Sequence, residues 1–181
     1  SSKVFWMILS KTTINELLVS QDPDRRLIIT PLLDKEEQVR AAAIDVRLGS
    51  QFVLVNKQTG LVAIDPVQRS QLTEKLLKYQ SQIQVPFGSG FYLHPHDFCL
   101  ATTFEYICLP TNVGAYVIGR SSWGRLGLII ATATAVEPGF KGTIVLELAN
   151  VGSVPIVLYP MMRIAQLVLH TTSDAEGRRQ Q

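Results

Sequence analysis

The chain has 181 residues, 46% of them apolar and 18% charged, with a formal net charge of +2. That is enough for one domain with a buried core, and no stretch stays apolar long enough to span a membrane as a helix. Basic residues cluster only in pairs, which argues against a nucleic-acid groove or a strongly acidic partner.

Met7-Ile8-Leu9-Ser10 reads as a natural start, with residues 1–6 an extension ahead of it. Thr13-Ile14-Asn15-Glu16 fits a capping box and predicts a short helix to about Val19. A β-prone run over 27–30 ends at Pro31, and 43–49 alternates apolar and polar before stopping at Gly49. Residues 51–55 and 61–64 flank a Gly-containing turn and predict a hairpin, and Asp65-Pro66 opens a helix striped by Leu72, Leu76, Leu77 and Tyr79. After Gly88 short strands follow over 91–94, 99–103, 106–109, 115–118, 128–132, 143–149, 156–159 and 164–169, separated by Pro and Gly. Many short strands with few helices predict a mainly β barrel or sandwich. Residues 1–170 read as one domain and 171–181 as a polar, mobile tail. Cys99 and Cys108 sit in apolar runs and read as buried free thiols of a cytoplasmic protein.

Chemistry concentrates in two places. Gly119-Arg120-Ser121-Ser122-Trp123-Gly124-Arg125 sets two guanidiniums and two hydroxyls among glycines, a pattern suited to an anion, although Arg-Ser-Ser alone is also an ordinary turn. Glu147 lies in the apolar run 143–149, and period-two alternation puts it on one face with Thr143, Val145 and Ala149. Partial burial there would raise its pKa toward that of a working acid/base, and an ion-paired strand carboxylate is the alternative. Glu137-Pro138-Gly139-Phe140 reads as a β-turn carrying an acid and a ring. His94 and His96 flank Pro95 without a Cys partner, and there is no Cys-x-x-Cys, so the spacing supplies no zinc site.

In their order these motifs resemble the dCTP deaminase branch of the dUTPase-like superfamily over about residues 7–170. The resemblance is carried by Ile44-Asp45-Val46-Arg47-Leu48-Gly49, Phe91-Tyr92-Leu93-His94-Pro95, Leu109-Pro110, Gly119-Arg120-Ser121-Ser122, Arg125-Leu126-Gly127-Leu128, Pro138-Gly139-Phe140-x-Gly142, Ile144-Val145-Leu146-Glu147 and Arg163-Ile164-Ala165-Gln166-Leu167. It implies a dUTPase-like distorted β-barrel or jelly roll with one or two short peripheral helices. It also implies a cytoplasmic homotrimer with active sites between subunits. The implied reaction is hydrolysis of dCTP to dUTP and ammonia without zinc, with Mg2+ held by the triphosphate and no protein ligands to it. Glu147 resembles the general base, and Ser121 and Arg125 the groups that position it and the water. Arg120, Ser122 and Gln166 resemble phosphate ligands. Glu137 stands where the family has an Asp facing the 3′-hydroxyl, and Phe140 where a ring packs on the deoxyribose. A bifunctional deaminase–dUTPase releasing dUMP and pyrophosphate, and a non-catalytic nucleotide-binding relative, are the alternatives; dUTP or dTTP are further possible ligands.

The chain departs from the family at three places. The hairpin 131–137 is one residue short and lacks a His and an Arg. Met161 replaces a turn Gly. The tail 173–181 lacks the aromatic and Lys of the family's closing segment.

Overall fold

A computed structural model describes residues 7–55, 67, 80–130 and 135–172. The predicted helix opened by Pro66 and the 61–64 arm of the predicted hairpin lie outside the described residues, as do 131–134 of the shortened hairpin and the tail from 173.

The first helix, α1 (Lys11–Val19), buries Ile14 and Leu17. Its N-cap is Ser10 rather than Thr13: Ser10 Oγ accepts from the Thr13 amide at 3.3 Å. The cap lies three residues ahead of the expected one because a serine there already accepts from a first-turn amide. A second helix, α2 (Lys35–Gln38), is capped by Asp34 and was not foreseen from periodicity, being a single turn.

The described residues form thirteen strands. They are β1 (Ile28–Thr30), β2 (Ile44–Val55), β3 (Gln80–Gln84), β4 (Phe91–Leu93), β5 (Phe98–Thr103), β6 (Tyr106–Cys108), β7 (Val113–Gly119), β8 (Leu128–Ile130), β9 (Ala135–Val136), β10 (Lys141–Gly142), β11 (Val145–Asn150), β12 (Ile156–Leu158) and β13 (Arg163–Thr171). Of these, the sequence does not predict β3, β9 and β10. The main sheet runs β8-β11-β5-β2-β13-β7-β9, with β3 also paired to β2. Two smaller sheets, β1-β6-β10 and β12-β4, complete the shell. The architecture is mainly β, with a curled, half-barrel sheet.

The curl has a local cause. The first half of β2 pairs with β13 and its second half with β3 and β5, with a register break between Leu48 and Phe52. Gly49 sits in that break. A Cβ there would lie 2.9 Å from the Thr102 carbonyl oxygen, so only glycine lets β2 cross so close to β5. The interior is filled by Ile44, Val46, Leu48, Phe52, Leu93, Leu146, Leu148, Ile164, Leu167 and Leu169, all nearly or fully buried. Phe52 and Phe91 stack with centroids 4.5 Å apart. Both cysteines are free thiols. Cys99 is fully buried, and burial, reinforced by the charge of Asp97, pushes its thiol up to about 12. Cys108 is only half-buried. No described helix is long and apolar enough to cross a membrane.

Candidate active site

The Arg-Ser-Ser run begins where β7 ends. Arg120 is the N-cap of a one-turn helix, Ser121–Gly124, whose amides close back onto the Arg120 and Ser121 carbonyls. Trp123 anchors this turn: its indole N–H donates to the Arg163 carbonyl at 2.9 Å, and its ring packs on the core. The turn is therefore pinned to β13, the strand that carries Gln166. At its far end Gly127 adopts φ +91°, and a Cβ there would meet the Gly152 backbone at 2.7 Å, so glycine is required. The Val151 amide donates to the Gly127 carbonyl at 2.9 Å and holds this crossing.

Arg120 and Gln166 meet on a residue to which sequence reasoning gave no role, Asp45. Gln166 lies directly across from Asp45 in the β2–β13 register, and its Nε2 donates to Asp45 Oδ1 at 2.7 Å. Asp45 Oδ2 faces three guanidiniums. Arg40 donates to it from Nε and Nη2 at 3.2 and 3.1 Å, Arg120 Nη1 lies at 3.6 Å, and Arg163 Nη1 at 3.7 Å. The Asp45 side chain is fully buried, while the three arginines keep 29 to 40% of their side-chain surface exposed. A carboxylate this buried is tolerable only because it is paired on every side. The signal that could have found it was the one applied to Glu147, a single carboxylate inside an apolar run, here Ile44-Asp45-Val46.

Beneath it lies a second buried acid. Glu105 accepts from the Arg47 amide at 2.8 Å, from Gln38 Nε2 at 3.2 Å and from Arg47 Nη1 at 3.3 Å. The same Gln38 amide donates to the Asp45 carbonyl at 3.2 Å, so Glu105 and Gln38 brace β2 just where Asp45 projects. Burial raises the Glu105 pKa, and its bonds to Arg47 offset this only in part.

The other candidates stand apart. Ser121, Ser122 and Arg125 are exposed on the turn. Glu147 lies opposite Leu100 on β11 and is exposed, which corrects the expectation of a partly buried face. Both faces of 143–149 carry apolar residues, and the larger set, Ile144, Leu146 and Leu148, takes the core. Glu147 is left on the outer face with Val145, which is 51% exposed. Among the described residues, neither Glu147 nor Arg125 has an ion-pair partner, and no hydrogen bond joins them or links Glu147 to Ser121. Glu137 and Phe140 form a third patch. The Phe140 amide donates to the Glu137 carbonyl at 3.1 Å across the expected turn, with Gly139 at φ +76°. Phe140 packs partly on the core, and Glu137 is exposed. A groove of about 440 Å³ crosses the outer face beside Gln51, Val53, Gln82, Leu100, Thr102 and Val145. It holds none of the candidate residues. Among the described residues, no three His, Cys, Asp or Glu side chains converge as a metal site would need.

The dCTP deaminase-like family model matches residues 8–172. The chain belongs to the dCTP deaminase-like family, a family of hydrolases. A dCTP deaminase, dUMP-forming, from Methanobrevibacter smithii is 43% identical over 171 residues, covering 93% of this chain and 83% of that protein. A dCTP deaminase from Halorubrum lacusprofundi is 42% identical over 163 residues, covering 90% and 76%. The crystal structure of 2′-deoxycytidine 5′-triphosphate deaminase from Agrobacterium tumefaciens superposes with a TM-score of 0.66 at 22% identity, over 92% of this chain. This chain spans about half the length of that one, 48%, and at that identity the likeness is one of fold.

Proposed function

We propose that this chain deaminates dCTP by hydrolysis, as a homotrimer whose active sites form between subunits. The observation that carries the reading is the convergence of Arg120 and Gln166 on one buried carboxylate, beside a turn presenting Ser121, Ser122 and Arg125. Guanidinium forks, hydroxyls and an amide are the donor set a phosphate takes. The assembly is supported by the outer face around Glu147. Val145 and Ile129, 51% and 41% exposed, lie on the paired strands β11 and β8, on the face that carries Glu147. A second copy covering them would desolvate Glu147 and bring it a partner's Ser121 and Arg125.

In this reading Glu147 takes a proton from water and passes it to N3 of cytosine as the resulting hydroxide adds to C4. Glu147 then moves the hydroxyl proton to the exocyclic amine, which leaves as ammonia as the C4 carbonyl forms. Ser121 and Arg125 hold the water and the carboxylate in place. Arg120, Ser122 and Gln166 grip the phosphates, Phe140 packs on the deoxyribose and Glu137 faces its 3′-hydroxyl. Mg2+ held by the triphosphate would neutralise part of its charge. Asp45, the carboxylate in contact with Arg120, already serves three guanidiniums and an amide, which fits a cation held by the nucleotide. The reaction suits a cytoplasmic enzyme.

A second reading, in which the product goes on to dUMP and pyrophosphate, is favoured by the "dUMP-forming" name of the Methanobrevibacter relative. Incubation with dCTP and Mg2+, followed by anion-exchange separation, tests both. dUTP is expected from the first reading and dUMP with pyrophosphate from the second. Unchanged dCTP would overturn both.

A further inference from the structure

Three guanidiniums share Asp45 Oδ2, and only Arg120 has a part in the site described so far. Arg40 approaches from the segment between α2 and β2, where its backbone amide donates to the Ala43 carbonyl. Arg163 is the first residue of β13. Its Nη1 donates to Glu37 Oε2 at 3.1 Å, and Arg40 Nη2 lies 3.9 Å from the same oxygen. Among the described residues, Asp45 and Glu37 are the two carboxylates paired with these three cations, which leaves the described cluster with a surplus positive charge.

That arrangement is costly on its own. Like charges gathered around one oxygen repel, and each guanidinium carries five N–H donors that a single carboxylate oxygen cannot fill. Asp45 forms the buried floor, and the guanidinium edges not turned to it remain partly open to solvent. A purely structural cluster would need one arginine for one aspartate. Surplus cations with exposed donors on a fixed acidic floor suit an anion larger than one phosphate group.

We propose that Arg40 and Arg163 are two further anion-binding residues, held by Asp45, that grip the phosphates beyond the first and make the site selective for a nucleoside triphosphate over a monophosphate. The inference rests on the phosphate reading of Arg120 and Gln166. Asp45 is a positioning residue in this scheme: it aims the guanidiniums and the Gln166 amide and does not touch the ligand.

The test is the affinity of the full chain, with Mg2+ present, for dCTP and for dCMP, in four forms: unaltered, Arg120→Ala, Arg40→Gln and Arg163→Gln. Arg40→Gln and Arg163→Gln should each weaken dCTP binding about tenfold or more, the scale of a lost charge-assisted hydrogen bond, and leave dCMP within about twofold. Retained dCMP binding in the same sample also shows that the variant has folded. Inorganic tripolyphosphate should displace dCTP from the unaltered chain and do so poorly from Arg163→Gln. An unchanged ratio of the two affinities in both glutamine variants overturns the proposal, and so does an equal loss of both ligands, because the arginines would then only build the site. Arg120→Ala separates the two readings. If it leaves dCTP and dCMP binding unchanged, the phosphate site itself is misplaced. If it weakens both while the glutamine variants keep their ratio, the site stands and the role of Arg40 and Arg163 falls.

Discussion

Two carboxylates in apolar strands have opposite surroundings. Asp45 on β2 is fully buried and touches Arg40, Arg120, Arg163 and Gln166. Glu147 on β11 is exposed, with apolar Val145 beside it and, among the described residues, no polar partner. Asp45 is satisfied inside one chain, so its role is to hold other groups still. Among the described residues, Glu147 has no such support, and in the proposed reading its drying and orientation are left to a second copy. In the proposed reading, the contrast separates a binding half gathered around Asp45 within one chain from a chemical half at Glu147 that a second copy would complete.

The sharpest way to break this contrast is at Glu147. Glu147→Gln keeps the shape and removes the base, so turnover should fall by about 10² to 10⁴-fold, the usual worth of a general base. Nucleotide affinity should stay within a few fold, because the phosphate patch is elsewhere. Steady-state kinetics and a binding isotherm on the same variant check it, and retained deamination would remove Glu147 from the mechanism.

The next effect tests the open half as an interface. Val145 is two residues from Glu147 and half exposed, so Val145→Glu costs a single chain little. Across a subunit contact it would bury an unpaired charge, which is strongly unfavourable. The variant should sediment as a monomer and lose activity at least tenfold. A variant that stays a trimer with full activity would move the interface to another face.

How far all this was legible in the sequence follows the same division. Strands β4 to β8 and β11 to β13 announced themselves by short apolar runs cut by Pro and Gly, because local sterics set those boundaries. Strand β3 (Gln80–Gln84) did not, since Gln-Ser-Gln-Ile-Gln has little apolar alternation and is a strand only because β2 pairs with it. The Arg-Ser-Ser turn was visible as a contiguous motif. The role of Asp45 was not, because its partners come from positions 40, 120, 163 and 166 and only the fold gathers them. The outward face of Glu147 was misread for a related reason. Alternation says which residues share a face and leaves open which face the rest of the chain covers.

The binding half rests on Glu105, and pH probes that support. Burial raises its pKa above the ordinary 4.5, so the folded chain holds this proton more tightly than the unfolded chain does. Stability from this group is therefore fully present below about pH 4.5 and is lost as pH rises through the folded-state value. Glu105→Gln imitates the protonated acid and should remove this dependence. The gap between the melting temperatures of the variant and the parent should move in the variant's favour as pH rises from 4.5 toward neutrality, by at most about 1.4 kcal/mol per pH unit. A gap that stays constant with pH would mean that Glu105 is ionised in both states and acts only as an acceptor for Arg47 and Gln38.

The smallest effect asks whether the turn feeding Arg163 sets the patch or merely follows it. Met161 adopts φ +76°, a left-handed conformation that costs a side chain about 1 kcal/mol and costs glycine almost nothing. The turn survives because its bonds are made elsewhere: the Met161 amide donates to the Leu48 carbonyl at 2.8 Å, and the Met162 amide to that of Tyr159 at 3.2 Å. Those bonds use only backbone atoms, so Met161→Gly keeps them. It should stabilise the chain by somewhat less than about 1 kcal/mol, since glycine also gains freedom in the unfolded state. Arg163 is fixed independently by its place opposite Arg47 and by the Trp123 indole on its carbonyl. Nucleotide affinity should therefore not change while the melting temperature rises. A stabilised variant with altered dCTP affinity would show that strain in this turn helps to aim Arg163, and would shift part of the binding half from the Asp45 cluster to the turn itself.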